Sequence, residues 1–499
     1  TLPQLRRQSL KQNQSQPQSQ DQDGQNHCLA FSKQHMVQDC SIPAQSLKYW
    51  LAASFCLNAL CLSILLGFSR PGRPSNWNRH GAIEDRGHLF ANGAGQGHLG
   101  LHNPHCSGQG HFEGGVVNGG QCRCYSCFTG STCSELASDC TVNFDHGDPK
   151  MFETYWSSNQ DAVSTVILGG DRMSYFSFTD GICWFLEPSL ASEVKLMHKM
   201  VGNAVTDGYH IVVGTGSSQL ISAALYALSS SAHQTPVDVV SAAPFYSSYP
   251  PMTDFLKSQL HRWAGDALSY EWEPQNMYVE LVTSPGNPDG MVHSAVVNGT
   301  GPVVYDLAYY WPHYTPITFA ADYDIMLFTV SKTTGHAGTR IGWALVRSAE
   351  VAKRMTKYIE LSTIGVSKDS QFRASQILKA IRMSYPHAEE MKMGGPYNAR
   401  QMGLFDFGYQ QMELRWEQMR HTIRDNACFS LETFPSEFCK FFGKATMPHP
   451  AFAWLHCEKD EDCHSAFKAN GILTRSGTYF GSSPKYVRIS MVDHDKVPR

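Results

Sequence analysis

The feature that most constrains the fold of this chain is a series of short apolar segments, separated by helical patterns, between residues 189 and 346. Apolar positions at helical spacing predict helices at Ser189–Ala204 and Ser217–Leu228. The short apolar segments predict β-strands at Tyr209–Gly214, Pro236–Ala243, Met277–Thr283, Val303–Tyr305, Ile325–Val330 and Ile341–Val346. Strands that alternate with helices of this length are typical of an α/β fold with a largely parallel sheet.

The composition of the rest of the chain indicates how it is divided into domains and connecting segments. Helical patterns dominate after residue 346 and mixed patterns follow, so we expect a large domain at 141–346 and a smaller α+β domain at 347–499. Residues 1–47 are rich in Gln and Ser and predict a disordered N-terminus, whereas the Gly-, Pro-, Asn- and His-rich residues 70–104 predict a linker. The net charge of −4 and the lack of a basic stripe argue against a nucleic-acid partner.

An apolar segment at residues 49–68 contains no charged residue and is flanked by Lys48, Arg70 and Arg73. Its length matches the roughly 20 residues that a bilayer core requires. It therefore predicts a transmembrane signal anchor or a cleaved signal peptide. Either one would direct the chain to the membrane or the secretory pathway, that is, to the ER lumen, a vacuole or the extracellular space.

Cysteines are concentrated in a short stretch between residues 105 and 140, which is rich in Gly, Ser and Thr. Such a stretch cannot build a hydrophobic core, so cross-links or a metal must hold it. Its Cys-x-Cys-x-x-Cys pattern is compatible with zinc, but no second Cys-x-x-Cys follows at the spacing of a zinc finger. We favour disulfides, which indicate an oxidising compartment. The six cysteines are Cys106, Cys122, Cys124, Cys127, Cys133 and Cys140.

Two Gly-rich turns follow predicted strands and suit a bound anion or ligand. The first, residues 214–219, reads GTGSSQ and opens a helix, whose N-terminus offers unpaired N–H groups and a positive dipole end to a phosphate. The second, residues 283–290, reads TSPGNPDG and makes a rigid turn around Asn287. Taken alone, each is also a common structural turn.

Two charged residues at predicted strand ends carry more information. Asp306 ends the strand that begins at Val303, where α/β enzymes place ligands, and a buried carboxylate there needs a cation such as a protonated pyridine nitrogen. Its alternative role is a helix N-cap. Lys332 follows the strand IMLFTV, and burial of its amine would lower the pKa and favour nucleophilic chemistry. Arg340, eight residues later, offers a fork for a phosphate.

These motifs resemble, in order and in most spacings, those of the alliinase and tryptophan-aminotransferase-related family of plant enzymes, over about residues 104 to 494. The matching stretches are MSYF at 173–176, APFY at 243–246, TSPGNPDG at 283–290, YDLAYYWPHYTPIT at 305–318, DIMLFTVSKTTGHAGTRIGWALV at 324–346, IGVSKDSQ at 364–371, HPAFAW at 449–454 and YVRIS at 486–490. The resemblance implies the fold of type-I pyridoxal 5′-phosphate (PLP) enzymes, with a large α/β domain, a smaller α+β C-terminal domain and a preceding EGF-like disulfide module.

The resemblance also implies roles for individual residues. Lys332 matches the Schiff-base lysine, Asp306 the partner of the pyridine nitrogen, and Arg488 the arginine that holds the substrate α-carboxylate. Tyr175 matches a substrate-binding residue donated across the interface of a homodimer. The other cofactor-binding positions are Tyr246, which stacks on the ring, Asn287 and Tyr309, which contact its hydroxyl, and Ser217, Ser218, Gln219, Ser331 and Arg340, which contact the phosphate. The implied disulfides are Cys106–Cys122, Cys124–Cys133, Cys127–Cys140 and Cys457–Cys463.

Three functions fit these residues. The GHAGTRIGWALV stretch favours a PLP-dependent aminotransferase acting on an L-amino acid, of the type that converts tryptophan to indole-3-pyruvate, with a keto acid as second substrate. The EGF-like module also fits an alliinase-type carbon–sulfur lyase, although His146 stands where alliinases carry a substrate-contacting serine. The third is a membrane-tethered, non-catalytic binding protein, suggested by a family C-terminal helix that the sequence does not contain.

Overall fold

The computed structural model describes residues 106–494, except for gaps at 108, 114–119, 126, 138–139, 178–180, 230–234, 256, 386–401 and 425–427. The predicted disordered N-terminus at 1–47, the apolar segment at 49–68 and the linker at 70–104 lie outside these residues. Within the described residues, no helix is both long and apolar enough to cross a bilayer.

A small disulfide-bonded module opens the described chain. It contains two short antiparallel pairs, β1 (Gly110–Glu113) with β2 (Gln121–Cys124) and β3 (Phe128–Thr129) with β4 (Glu135–Leu136). Its disulfides are Cys106–Cys122, Cys124–Cys133 and Cys127–Cys140, the pairs that the family resemblance implies. No residue of β2, β3 or β4 is buried, so the cross-links hold this segment, as the composition predicts.

A seven-stranded sheet forms the centre of the large domain, in the order β6-β12-β11-β10-β9-β7-β8. The strands are β6 (His210–Gly214), β7 (Val237–Ser241), β8 (His261–Asp266), β9 (Tyr278–Thr283), β10 (Val303–Asp306), β11 (Ile325–Thr329) and β12 (Gly342–Val346). The pairings among β8, β7, β9, β10 and β11 are parallel, whereas β12 runs antiparallel to both of its neighbours. The prediction of an α/β fold with a mainly parallel sheet is confirmed. The sequence analysis did not predict β8, an edge strand with mixed polarity.

The helices cover the sheet and bury its central strands. Every residue of β7, β9 and β11 is buried, which is typical of a sheet that is covered on both faces. The helices are α1 (Glu153–Ser158), α2 (Gln160–Val163), α3 (Pro188–Val201), α4 (Gly216–Leu228), α5 (Tyr249–Asp254), α6 (Val330–Thr333), α7 (Ala349–Thr363), α8 (Lys368–Met383), α9 (Leu404–Arg424) and α10 (Cys463–Ala469). Helix α7 packs on α4, and α8 packs on α3. Helix α7 also contacts β6 and β12 of the large sheet.

The C-terminal region builds a second, antiparallel sheet in the order β13-β16-β19-β18. Its strands are β13 (Phe429–Leu431), β16 (Phe452–Cys457), β18 (Arg475–Ser476) and β19 (Tyr486–Ser490). A hairpin of β14 (Glu437–Cys439) and β15 (Lys444–Thr446) lies between β13 and β16 in the chain, and the disulfide Cys457–Cys463 ties β16 to α10.

The segment that follows the disulfide module is attached to this second sheet region. Strand β5 (Val142–Asn143) pairs in parallel with β17 (Ile472–Leu473), and the Ser490 N–H donates to the Phe144 carbonyl at 3.0 Å. These bonds fix the start of residues 144–148, which we call the strap. Its next residues reach the candidate site.

Candidate active site

Lys332 and Asp306 are brought together by adjacent parallel strands. Asp306 is the last residue of β10, and Lys332 lies in the short helix α6 directly after the neighbouring strand β11. Asp306 is buried, and this burial raises the pKa of its carboxyl to about 6. Hydrogen bonds from the Ala308 N–H and the Tyr249 hydroxyl lower the pKa and so oppose this rise. A buried carboxylate in this state gains from a cationic partner.

The Lys332 amine is held between the strap and an aromatic ring. Its Nζ donates to the Gly147 carbonyl and lies 5.9 Å from the centroid of the Tyr309 ring. Burial, with the nearby Arg488 cation as the next cause, lowers the pKa of Lys332 to about 8. The neutral amine is therefore more accessible near neutral pH than for an ordinary lysine, whose pKa is about 10.4.

Gly216, Arg340 and Gly342 form a cradle at the start of α4. The Arg340 guanidinium donates to the Thr215 carbonyl at 3.4 Å, and a Cβ on Gly216 would come 2.5 Å from its Nη2. A Cβ on Gly342 would lie 2.9 Å from the Ser217 backbone nitrogen. Because glycine at both positions has no side chain, the guanidinium and the helix N-terminus can face the same space. This arrangement suits a phosphate.

The other predicted phosphate-binding residues surround this cradle in different ways. Ser217 and Ser218 lie in the first turn of α4, whereas Gln219 accepts a hydrogen bond from the Thr215 N–H at 2.7 Å and so caps its own helix. Ser331 is buried, and its hydroxyl accepts from Thr329 Oγ1 at 3.1 Å. The first turn of α4 and Arg340 thus face the cradle most directly.

Arg488 and Asn287 join the two sheets at the site. Both are buried, and Arg488 Nη1, on β19, donates to the Asn287 side-chain oxygen at 2.9 Å. The guanidinium carbon lies 4.1 Å from the centroid of the Phe452 ring, and Nη2 donates to the Asp145 carbonyl of the strap. Within the described chain, Arg488 Nε has no hydrogen-bond partner. Burial lowers the pKa of Arg488 to about 10, because it disfavours the charged form. A bound anion would offset this cost.

Aromatic side chains form the walls between these groups. The Tyr309 ring is buried and meets Phe452 edge-on at a centroid distance of 5.7 Å. Tyr246, which follows β7, contacts Tyr249 at 5.4 Å, and the Tyr249 hydroxyl lies 2.6 Å from Thr283 Oγ1. Tyr249 thus supports both Asp306 and the end of β9.

Tyr175, the predicted substrate-binding residue, is described by its exposure and its aromatic neighbours. It is 54% exposed and contacts Phe176 and Trp184. His146 is near the site but bonds away from it, with its Nε2 at 2.9 Å from Asp493 Oδ2.

The roles of Asp145, Gly147 and Tyr249 are not predicted by the sequence motifs. The strap residues were not identified because carbonyl contacts to Lys332 and Arg488 leave no side-chain pattern. Tyr249 had a signal, since it lies three residues after Tyr246 and opens α5.

The residues at this site fit PLP on three observations. The cradle at Gly216 and Arg340 suits its phosphate, the buried Asp306 carboxyl suits its ring nitrogen, and the Lys332 amine has the lowered pKa that attachment to an aldehyde favours. None of these three groups of PLP needs Arg488, so this arginine can bind the carboxylate of a second molecule, the substrate.

Comparisons with known proteins agree with this fold. The structure resembles N-succinyldiaminopimelate aminotransferase from Mycobacterium tuberculosis, with a TM-score of 0.50 and 16% identity, over 71% of this chain and 90% of the other. It resembles Bna3p, a putative kynurenine aminotransferase from Saccharomyces cerevisiae, equally well, with a TM-score of 0.50, 13% identity and coverage of 71% and 88%. At these identities the likeness concerns the fold, which is that of the type-I aminotransferases.

The sequence comparisons identify the family. The family model described as Allinase matches residues 142–497. Tryptophan aminotransferase-related protein 2 from Oryza sativa subsp. japonica is 51% identical over 72% of this chain and 72% of its own length, and the Arabidopsis thaliana protein of that name is 50% identical over 72% and 80%. Alliin lyase from Allium cepa is 35% identical over 78% and 81%. The chain belongs to the Allinase family, whose members depend on PLP.

Proposed function

We propose that this chain is a PLP-dependent aminotransferase that converts an L-amino acid, with tryptophan as the first candidate, to its keto acid. The observation that carries the proposal is the pairing of Lys332 and Asp306 at the ends of adjacent parallel strands. The higher identity to tryptophan aminotransferase-related proteins than to alliin lyases favours transamination over carbon–sulfur cleavage.

The proposed roles follow from the chemistry of each side chain. When bound, PLP supplies a ring that accepts electrons from the substrate Cα. Asp306 would hold the ring nitrogen in its protonated form. The Lys332 amine would accept the proton from the substrate Cα and, as an ammonium, would give the same proton back to the cofactor. Arg488 binds the substrate α-carboxylate and so fixes the Cα within reach of Lys332.

The remaining side chains would hold the cofactor in place. Arg340, Ser217, Ser218, Gln219 and Ser331 contact or orient the phosphate in this proposal. Asn287 and Tyr309 bind the ring hydroxyl, and Tyr246 stacks on the ring face. The buried position of Asn287 and Tyr309 supports these roles, because buried polar groups need partners.

An assay with two substrate classes tests the proposal. Purified protein with PLP is incubated with L-tryptophan plus pyruvate or 2-oxoglutarate, and separately with an S-alkyl-L-cysteine sulfoxide. We expect indole-3-pyruvate from the first mixture and no pyruvate from the second. Lys332→Ala should lose the product, whereas the exposed Lys357→Ala should retain it. Pyruvate from the sulfoxide without indole-3-pyruvate would instead support the lyase, and lack of both products and of PLP binding would support a non-catalytic protein.

We further propose that the chain acts as a homodimer. Five apolar side chains close together in the sequence are each more than half exposed, and we call them the apolar patch: Val166, Leu168, Met173, Tyr175 and Phe176. Patches of this kind mark protein interfaces. Burial of the patch against a second copy would give Tyr175 the position in the partner's site that the family resemblance implies.

The compartment is a proposal as well. The four disulfides support an oxidising compartment, because such bonds persist in the secretory pathway and outside the cell. We propose that the apolar segment at 49–68 directs the chain there, as an anchor or as a signal peptide.

A further inference from the structure

A second arginine, Arg475, lies beside Arg488 and shares a partner with it. The two are direct cross-strand neighbours in the antiparallel pair of β18 and β19. The Asp145 carbonyl accepts from Arg488 Nη2, while the Asp145 carboxylate accepts from Arg475 Nε at 2.5 Å and from its Nη2 at 3.3 Å. One strap residue thus bridges both guanidinium groups.

The two arginines differ in how accessible they are. Arg488 is buried, whereas the side chains of Arg475 and Asp145 are 32% and 39% exposed. Arg475 Nη1 also donates to the Ser247 hydroxyl at 3.2 Å, and Ser247 directly follows the proposed ring-stacking residue Tyr246. Arg475 therefore lies at the open edge of the site, next to the wall that would face the cofactor ring.

The charges around Arg475 and Arg488 allow a ligand carboxylate to replace the Asp145 carboxylate. Adjacent guanidinium groups on paired strands repel each other, and the Asp145 carboxylate offsets one of the two positive charges. The amino acid's α-carboxylate would balance Arg488. A ligand with a second carboxylate can replace the Asp145 side chain at Arg475 with the same bidentate geometry, and the half-exposed Asp145 side chain can then turn to water.

We propose that Arg475 is a second carboxylate-binding residue, which takes the distal carboxylate of a dicarboxylic keto acid such as 2-oxoglutarate in exchange for Asp145. The inference rests on the proposed function, because transamination requires a keto acid that accepts the amino group. A monocarboxylic acceptor or an aromatic amino acid would leave the Arg475–Asp145 ion pair in place, so one site would serve substrates with and without a second charge.

Binding of two unreactive ligands to the PLP-loaded protein tests this inference. Glutarate carries two carboxylates, and pentanoate has the same chain length with one. We expect Arg475→Met to weaken glutarate binding by about tenfold to a hundredfold, the effect of removing a charge-assisted pair, and to change pentanoate binding far less. Asp145→Asn removes the competing carboxylate and keeps the backbone carbonyl, so it should tighten glutarate binding. Arg475→Lys should recover part of the lost affinity.

The outcomes separate this role from a purely structural one. If Arg475 only anchors the strap through Asp145, both Arg475→Met and Asp145→Asn weaken the two ligands equally, and the inference is overturned. Should Arg475→Met fail to fold, as judged by circular dichroism, Asp145→Asn alone decides: tighter glutarate binding supports the inference, and unchanged or weaker binding overturns it. Because the ligands do not react, failure of the proposed transamination would leave this measurement valid. With an active enzyme, Arg475→Met should also lower the ratio of kcat/KM for 2-oxoglutarate to that for pyruvate.

Discussion

Arg488 Nη1 donates to the Asn287 side-chain oxygen at 2.9 Å, which joins β19 of the small sheet to the loop after β9 of the large sheet. Both side chains are buried, so neither can exchange this bond for water at low cost. The contact therefore couples the residue proposed to hold the substrate to a residue proposed to hold the cofactor.

Replacement of Asn287 by Ala should impair substrate binding through Arg488. The substitution leaves Arg488 Nη1 without its acceptor, and loss of one hydrogen bond to a buried charge costs about 1.5–3 kcal/mol. We expect KM for the amino acid to rise by about tenfold or more, measured by steady-state kinetics at saturating PLP. The exposed Asn470→Ala, at the end of α10 in the small domain that carries Arg488, is the control. A variant with the KM of the wild type would refute the coupling.

The pH dependence of PLP uptake should report the lowered pKa of Lys332. Only the neutral amine attacks the aldehyde, so uptake by the apoprotein should be slow below pH 8 and level off above it, with a midpoint near the pKa of about 8. Burial is the main cause of this pKa and Arg488 the next. Arg488→Leu removes a neighbouring cation and should move the midpoint to higher pH. Stopped-flow absorbance measures the rate, and a midpoint that does not respond to Arg488→Leu would contradict the assignment.

Arg340 should determine PLP affinity more than catalysis. Arg340→Met removes the guanidinium beside Gly216, and we expect Kd for PLP to rise by about tenfold to a hundredfold. Activity should return at high PLP concentration. Arg347→Met is the control, because this exposed arginine pairs with Asp322 and Asp324 instead.

Gly216→Ala should also weaken PLP binding, since Gly216 has a φ of +77° and its new Cβ would meet Arg340 Nη2. Equal PLP affinities in Arg340→Met and Arg347→Met would rule out the cradle.

The Cys457–Cys463 disulfide should stabilise the small domain. It closes a short loop between β16 and α10, and loops of this size contribute about 2 kcal/mol through the unfolded state. The double variant Cys457→Ser, Cys463→Ser should therefore unfold at a lower temperature. In dithiothreitol the difference in melting temperature between the variant and the wild type should become smaller, because the wild type loses the same bond. Identical melting temperatures without reductant would show that the bond contributes nothing.

The exposed patch around Tyr175 should carry the dimer contact. Tyr175→Ser together with Phe176→Ser removes two rings that are 54% and 53% exposed in the single chain. We expect the molar mass, measured by light scattering, to shift from dimer toward monomer, with a loss of activity. Phe438→Ser, which removes a ring that is 61% exposed on the hairpin of β14, should leave the mass unchanged. A monomeric wild type, or a variant that stays dimeric, would refute this interface.

The strand ends of the site could be predicted from the sequence because their signal is local. Strands β10 and β11 are buried except for Val303, so apolar runs mark them, and Asp306 and Lys332 stand out at or just after their ends. The antiparallel direction of β12 could not be predicted, since an apolar run does not encode its orientation. The strap was missed for another reason: Gly147 and Lys332 are 185 residues apart, and a backbone carbonyl leaves no residue signature. Arg475 was missed because its partner Asp145 is 330 residues away.

Reductive labelling at Lys332 tests the central claim most directly. The protein loaded with PLP is treated with borohydride, which fixes the cofactor to the lysine that carries it, then digested and mapped by mass spectrometry. We expect one modified peptide, with the label on Lys332, and no label after prior removal of PLP. A label on another lysine, or a Lys332→Ala protein that still binds PLP covalently and turns over normally, would contradict it.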